Sequence, residues 1–226
     1  MALNGGGLAR AAALYQSVVG KKILMAATGL VLFGFVLVHM LGNLQLYLGP
    51  EQLNAYGRLL QSAKGLLWFT RFVLLACVGL HILAACQLWV LNQFEARSTG
   101  YIKKASLAST YAARTMIWSG PIIGVFIVYH ILHFTTGAVH PDFAAGDVYR
   151  NVVTGFQRPA VSIFYIIANL MLATHLYHGV WSMFQTIGVS HPRYTPWIKR
   201  ASAAFGFIVG AGNVSFPLAV LTGIVK

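Results

Sequence analysis

Five stretches of this 226-residue chain are each long and apolar enough to cross a lipid bilayer, which removes most of the folds otherwise open to it. A transmembrane helix needs roughly 20 mostly apolar residues. The runs at about Gly20–Tyr47, Leu66–Gln93, Arg114–Gly137, Pro159–Thr186 and Lys199–Ile224 all qualify. Turn chemistry separates them: Gly49-Pro50, Ser98-Thr99-Gly100, His140-Pro141-Asp142 and His191-Pro192-Arg193. The expected fold is an all-α integral membrane protein with five transmembrane helices, forming a single membrane domain over residues 1–226. Composition agrees. Hydrophobic residues make up 58% and charged residues 9%, against about a quarter charged in soluble domains.

The charge that remains is one-sided, with sixteen Lys and Arg against four acids and a formal net charge of +12. These cations fall between the apolar runs and form no stripe interleaved with aromatics, so anionic lipid rather than nucleic acid is the expected partner. Counting Lys and Arg by side sets the orientation. The N-terminus and the second and fourth connectors hold Arg10, Lys21, Lys22, Arg97, Lys103, Lys104, Arg114, Arg193, Lys199 and Arg200. The opposite side holds Arg58, Lys64, Arg71, Arg150, Arg158 and Lys226, with Glu51, Asp142 and Asp147. That bias places the N-terminus in the cytoplasm and the C-terminus outside. Residues Met1 to Gln16 lack the basic start, short apolar core and A-x-A site of a secretory signal, so the first span is expected to be retained. Cys77 and Cys86 both fall inside one apolar helix and imply no disulfide framework.

Eight histidines are many for so apolar a chain, and six of them fall inside spans: His39, His81, His130, His133, His175 and His178. An ionisable group within a span is costly and commonly marks a functional site, although a neutral His bonded to a backbone carbonyl also satisfies it. At ~1.5 Å per residue, His39 lies ~24 Å beyond Ile23 and His130 ~21 Å beyond Met116, so both sit toward the outer face. The second and fourth spans run the other way, which puts His81 and His175 each ~22 Å inward from Leu66 and Ala160. Four helices thus offer an outer pair, His39 with His130, and an inner pair, His81 with His175. The levels are roughly 15 Å apart in a ~30 Å hydrocarbon core. No acid lies within a span, as a metal-ion site would favour. Two facing imidazoles, repeated at a second level, suit bis-His haem. Without a C-x-x-C-H motif that haem would be b-type, two per chain.

A short repeat bears on the ligand choice. Gly29 precedes His39 by ten residues and Gly120 precedes His130 by ten, with a second glycine at Gly34 and Gly124. Ten residues is ~15 Å of helix, which brings each first glycine to the level of the other His pair. There a missing side chain leaves room for a porphyrin, or equally for close helix packing. His133 and His178 lie one turn beyond His130 and His175, so depth alone does not choose within either couple. The glycine repeat selects His130. A spare imidazole near either surface could meet a haem propionate or a quinone head group.

Ser17-Val-Val-Gly-Lys-Lys22, Thr28-Gly29, His39-Met-Leu-Gly-Asn43, Gly120 to His130, His81, and His175-Leu-Tyr-His-Gly-Val-Trp-Ser182 together resemble the cytochrome b558-type anchor subunit of succinate:quinone oxidoreductases. The resemblance spans all five apolar runs. It implies that helices I–IV form a four-helix bundle around two stacked haems with helix V alongside, and that His175 rather than His178 is the ligand. It also implies a flavoprotein subunit carrying FAD and an iron–sulfur subunit docked on the cytoplasmic side. Electrons would pass between their clusters and a quinone, with menaquinone suggested, and no catalytic residue would lie in this chain. The family's outer quinone site often uses an acid near the start of span two, where this chain has Lys64 and Arg71. Arg71 lies level with the outer pair, and its planar fork suits a propionate as well as it suits snorkelling to headgroups. Another quinone-linked cytochrome b, as in formate dehydrogenase or hydrogenase, explains the His pairs but not the ordered motifs. A haem-free His-lined metal transporter would want acids and a single ligand depth.

Overall fold

The computed structural model describes residues 5–92 and 111–226. In chain order they form α1 (Gly5–Gln16), α2 (Val18–Asn43), α3 (Pro50–Ser62), α4 (Lys64–Val90), α5 (Tyr111–His130), α6 (Val148–Phe156), α7 (Pro159–Thr186) and α8 (Thr195–Leu221), with no strand among the described residues. Among the described residues, five segments are long and apolar enough to span a membrane: Val18–Leu48, Lys64–Val90, Arg114–Thr135, Pro159–Thr186 and Thr195–Leu221. They match the five runs read from the sequence. The expected end of the second run at Gln93, the Ser98-Thr99-Gly100 turn, and Arg97, Lys103 and Lys104 lie outside the described residues.

Span ends shift where capping chemistry decides them. α2 starts at Val18 because the Ser17 hydroxyl accepts from the Gly20 amide at 2.9 Å, satisfying one of the donors a helix start leaves open. α8 begins at Thr195, four residues before the expected Lys199, with Pro196 in its first turn, where a missing N–H costs little. Beyond α2 the chain tightens into a 3-10 turn over Leu44–Leu48, and beyond α5 it widens into a π-helical turn over Ile131–Thr135.

α1, α3 and α6 occupy stretches that apolar patterning leaves as connectors. Lys21 ties α1 to α2: its Nζ donates to the Tyr15 and Gln16 carbonyls at 3.2 and 2.8 Å, so a cation meets the negative end of α1. α3 follows Gly49, whose φ of 98° disfavours any side chain, and it opens on Pro50 and Glu51. α6 is capped by Asp147, which accepts from the Arg150 amide at 3.0 Å and from Asn54 Nδ2 at 2.9 Å. Asn54 Oδ1 in turn accepts from the Tyr149 amide, locking α3 to α6.

The long helices alternate in direction. Tyr15 reaches Gln87 at the N-terminal face, and Gly29 lies against His81, so α2 and α4 are antiparallel. Ser119 beside His175, and His130 beside Tyr165, make α5 and α7 antiparallel. α8 packs closely on α7, where a Cβ on Gly206 would come within 2.6 Å of the Ala173 carbonyl oxygen and one on Gly210 within 2.6 Å of the Ala173 Cβ. This G-x-x-x-G spacing lets membrane helices approach backbone to backbone. α8 also meets α2 through Gly212 against Met40 and Phe33 against Phe205. Close packing therefore links α4 to α2, α2 to α7, α7 to α5, and α8 to α7 and α2, whereas α4–α7 and α2–α5 lack comparable backbone packing.

The buried core lies at the C-terminal face, where Leu46, Leu53, Val153, Phe156, Tyr165, Phe216 and Val220 gather beneath α3 and α6. Asp147 tests that cap. Asp147→Ala should cost about 1 kcal/mol of cap stability, a usual value for a lost N-cap, read as a lower melting temperature in detergent. The Arg150 N–H, and then the Asn54 amide, hold the Asp147 carboxyl below its ordinary range. Its contribution is therefore complete above the unfolded aspartate value of ~3.9 and is lost as pH falls through the lower folded value. The acid side of the melting profile should flatten in Asp147→Ala.

Candidate paired-histidine site

Two of the helix pairs without close backbone packing, α2 with α5 and α4 with α7, are joined by imidazoles. His39 on α2 faces His130 on α5 with ring centres 5.8 Å apart and planes at 88°. His81 on α4 faces His175 on α7 with ring centres 6.4 Å apart and planes at 57°. A metal about 2 Å from one imidazole nitrogen lies roughly 3.1 Å from that ring's centre, so two imidazoles on opposite sides of it have centres about 6.2 Å apart. Both pairs stand close to that spacing. Edge-to-face aromatic packing also falls in this range, so the distances need a second observation beside them.

Hydrogen bonding at the ring nitrogens supplies it. Thr28 Oγ1 lies 3.1 Å from His81 Nδ1 and donates its own proton to the Leu24 carbonyl at 2.8 Å, sharing it with Met25. Ser119 Oγ lies 3.2 Å from His175 Nδ1 and donates to the Met116 carbonyl at 3.4 Å. Each hydroxyl has one proton. With the Thr28 proton given to the Leu24 carbonyl, its oxygen can only accept, so Nδ1 of His81 is the N–H and Nε2 keeps its lone pair. A ligating histidine has the same arrangement, its second nitrogen donating to an oriented acceptor. In the other pair, His130 Nδ1 lies 3.4 Å from the Tyr165 hydroxyl, and His39 stacks on Phe35 at 5.3 Å.

The glycines fall where the repeat places them. A Cβ on Gly29 would lie 3.4 Å from His81 Cε1, so α2 passes the imidazole of the other level with only a backbone between. Gly120 adjoins Ser119, and a Cβ there would meet nothing within 4 Å. The repeat also extends one residue further back than the glycines. Thr28-Gly29 precedes His39 and Ser119-Gly120 precedes His130, each joining a hydroxyl and a glycine at one level to an imidazole at the next. Ser119 could have been found in the sequence by aligning the two helices on their histidines.

His133, His178 and Arg71, and the neighbouring Trp181 and Arg158, have separate environments. His133 is 1% exposed, with Nδ1 3.1 Å from the Tyr165 hydroxyl, and it stacks on Tyr129 and His140. The π turn Ile131–Thr135 that carries it displaces it from the line of His130. His178 is half-buried and has no hydrogen bond among the described residues. Arg71 is exposed, with its guanidinium carbon 5.0 Å from the Trp68 ring centre; reaching a propionate would require it to leave that ring. Trp181 is buried beneath Lys199, whose Nζ lies 4.9 Å from its ring centre. Arg158 pairs with Asp142 at 3.0 Å, both side chains about half exposed. Among the described residues no three or more His, Cys, Asp or Glu side chains gather as a metal-ion cluster, so the span histidines meet as pairs.

Two substitutions separate the glycine positions. Gly29→Val should force the His81 ring aside and cost about 1–3 kcal/mol, the usual range for overpacking. Gly120→Ala, whose Cβ meets no protein atom within 4 Å, should leave the stability of the protein without cofactor unchanged or raise it by up to about 1 kcal/mol, since alanine favours the helix. Thermal unfolding of the cofactor-free protein reads both, and equal losses would contradict this geometry. Compared with protein-family models, curated proteins and solved structures, the chain matches none.

Proposed function

We propose that this chain is a di-haem cytochrome b of the membrane, carrying electrons through two b haems held by His39 with His130 and by His81 with His175. The observation that carries this reading is the pair of imidazole couples at trans-ligand spacing, joining helices whose backbones do not close on each other. The hydroxyls beside Nδ1 of His81 and His175 support it, because a ligating imidazole has its second nitrogen held by an oriented partner. Gly29 and Gly120 would flank the inner haem. When bound, the haem supplies reversible one-electron transfer at its iron. The protein's part is to orient the imidazoles, keep the rings opposed and exclude water between apolar helices.

The sequence motifs carry the reading further, to the anchor subunit of a succinate:quinone oxidoreductase. In that role the N-terminal face is cytoplasmic and receives an iron–sulfur subunit beside a flavoprotein. The residues of the two levels, ~15 Å of helix apart, would hold the groups that carry electrons to or from a quinone, with menaquinone the first candidate. The excess of Lys and Arg on the N-terminal side supports this sidedness. His178, one turn beyond His175, and Arg71, on the helix that carries His81, are the candidates for contact with propionates or quinone.

A dithionite-reduced minus oxidised spectrum, with pyridine haemochrome quantitation, tests the core of the reading. Two b haems per chain are expected. His39→Ala and His130→Ala should remove one haem, and His81→Ala and His175→Ala the other, while His133→Ala and His178→Ala keep both. A well-folded preparation without haem would sink the proposal and return these histidines to packing roles.

A further inference from the structure

The buried cluster around Tyr165 has no part in the ligand set, yet it is among the most tightly built features of the molecule. Tyr165 is 3% exposed, and its ring packs edge-on against Phe126 at 5.1 Å and Phe156 at 5.0 Å. Its hydroxyl sits between two imidazoles, 3.1 Å from His133 Nδ1 and 3.4 Å from His130 Nδ1. His133 is itself clamped. It stacks on His140 at 4.7 Å and 19° and on Tyr129 at 5.3 Å and 20°. His140 is held by the Asn151 carbonyl, 2.9 Å from its Nε2. Gly155 closes the cluster, since a Cβ there would come within 2.9 Å of His133 Cε1 and 3.1 Å of His140 Nε2.

We infer that Tyr165, fixed by His133, is the positioning residue for His130. This rests on the haem reading above. The proton count gives the direction of each bond. A phenol has one proton to donate and can also accept. With His130 turning Nε2 toward His39, its Nδ1 carries the hydrogen and donates to the Tyr165 oxygen. The Tyr165 proton then goes to His133 Nδ1, which makes His133 the Nε2–H tautomer. Tyr165 therefore does for His130 what Thr28 does for His81, with one difference. Thr28 discharges its proton into its own helix, whereas Tyr165 must hand it to a second side chain. That explains why a histidine one turn beyond a ligand is buried without being a ligand. It also explains why the chain widens into a π turn at Ile131–Thr135 to carry it.

An acceptor on the distal nitrogen makes an imidazole a stronger donor and favours the oxidised metal. Removing it should raise the potential of one haem only. The test is a potentiometric titration of the full-length haem protein in detergent, paired with low-temperature EPR of its oxidised form, whose low-spin signals follow the angle between imidazole planes. Tyr165→Phe keeps the ring and removes the hydroxyl. It should keep both haems and raise, by roughly tenfold at fixed potential, the reduced-to-oxidised ratio of the haem that His130→Ala removes. The EPR signal of that same haem should move. His133→Leu, which removes the acceptor of the Tyr165 proton, should shift the same haem in the same direction, and it carries the test where Tyr165→Phe does not fold. Thr28→Val should shift the other haem. Unchanged potentials and EPR in Tyr165→Phe, or equal shifts of both haems, would overturn the positioning role while leaving the haem reading intact. A wild-type protein without haem would overturn both.

Discussion

A hydroxyl that has given its proton to its own helix can only accept from its neighbours, and the organisation of the inner histidine pair depends on that restriction. Within a bilayer no water is at hand to complete a polar group, so each must be satisfied by the protein. Thr28 meets this requirement twice over: its proton goes to the Leu24 carbonyl one turn back and its lone pair to His81 across the interface, and Ser119 stands beside His175 at the matching position. The result is a fixed tautomer at His81, and so a fixed direction for its free lone pair. Without that acceptor, neutral imidazole could place its hydrogen on either nitrogen.

The same economy accounts for the uneven packing. At the C-terminal face, α3, α6 and the end of α8 enclose a core of aliphatic and aromatic side chains, tied by the Asn54–Asp147–Tyr149 bonds. Between α4 and α7, and between α2 and α5, contact is left largely to rings. α7 is the common neighbour: α2, α5, α6 and α8 all pack on it. It contributes His175 to one level and Tyr165, beside His130, to the other.

How much of this was legible in the sequence depended on the kind of signal. Five spans followed from apolar length, because the bilayer sets a minimum that few other structures need. The pairing of His81 with His175 and of His39 with His130 followed from depth, since rise per residue is nearly constant along a helix. Depth does not tell which way a side chain points around the helix. Arg71 shows the difference: it was assigned a level by counting, but its partner, Trp68, lies on the exposed side. Tyr165 gave no signal at all, because a tyrosine in an apolar helix reads as packing until the residue opposite it is known. His140 was hidden for another reason. It sits in a Pro-containing turn, and only the folding of α6 back over that turn brings Asn151 to it. α3 and α6 were missed as helices because they are short and owe their ends to Pro50 and Asp147 rather than to a long apolar run.

The matched arrangement of α2 and α5 has a mechanical consequence. Each of these helices serves both levels, offering an imidazole to one and a hydroxyl with a glycine to the other, about three turns of helix away. A slip of either helix by a single residue would rotate its whole face by about 100°, taking the imidazole from one level and the acceptor from the other in the same movement. The two levels therefore share one register. They are two readings of a single alignment, and assembly of either one is already a proofreading step for the other.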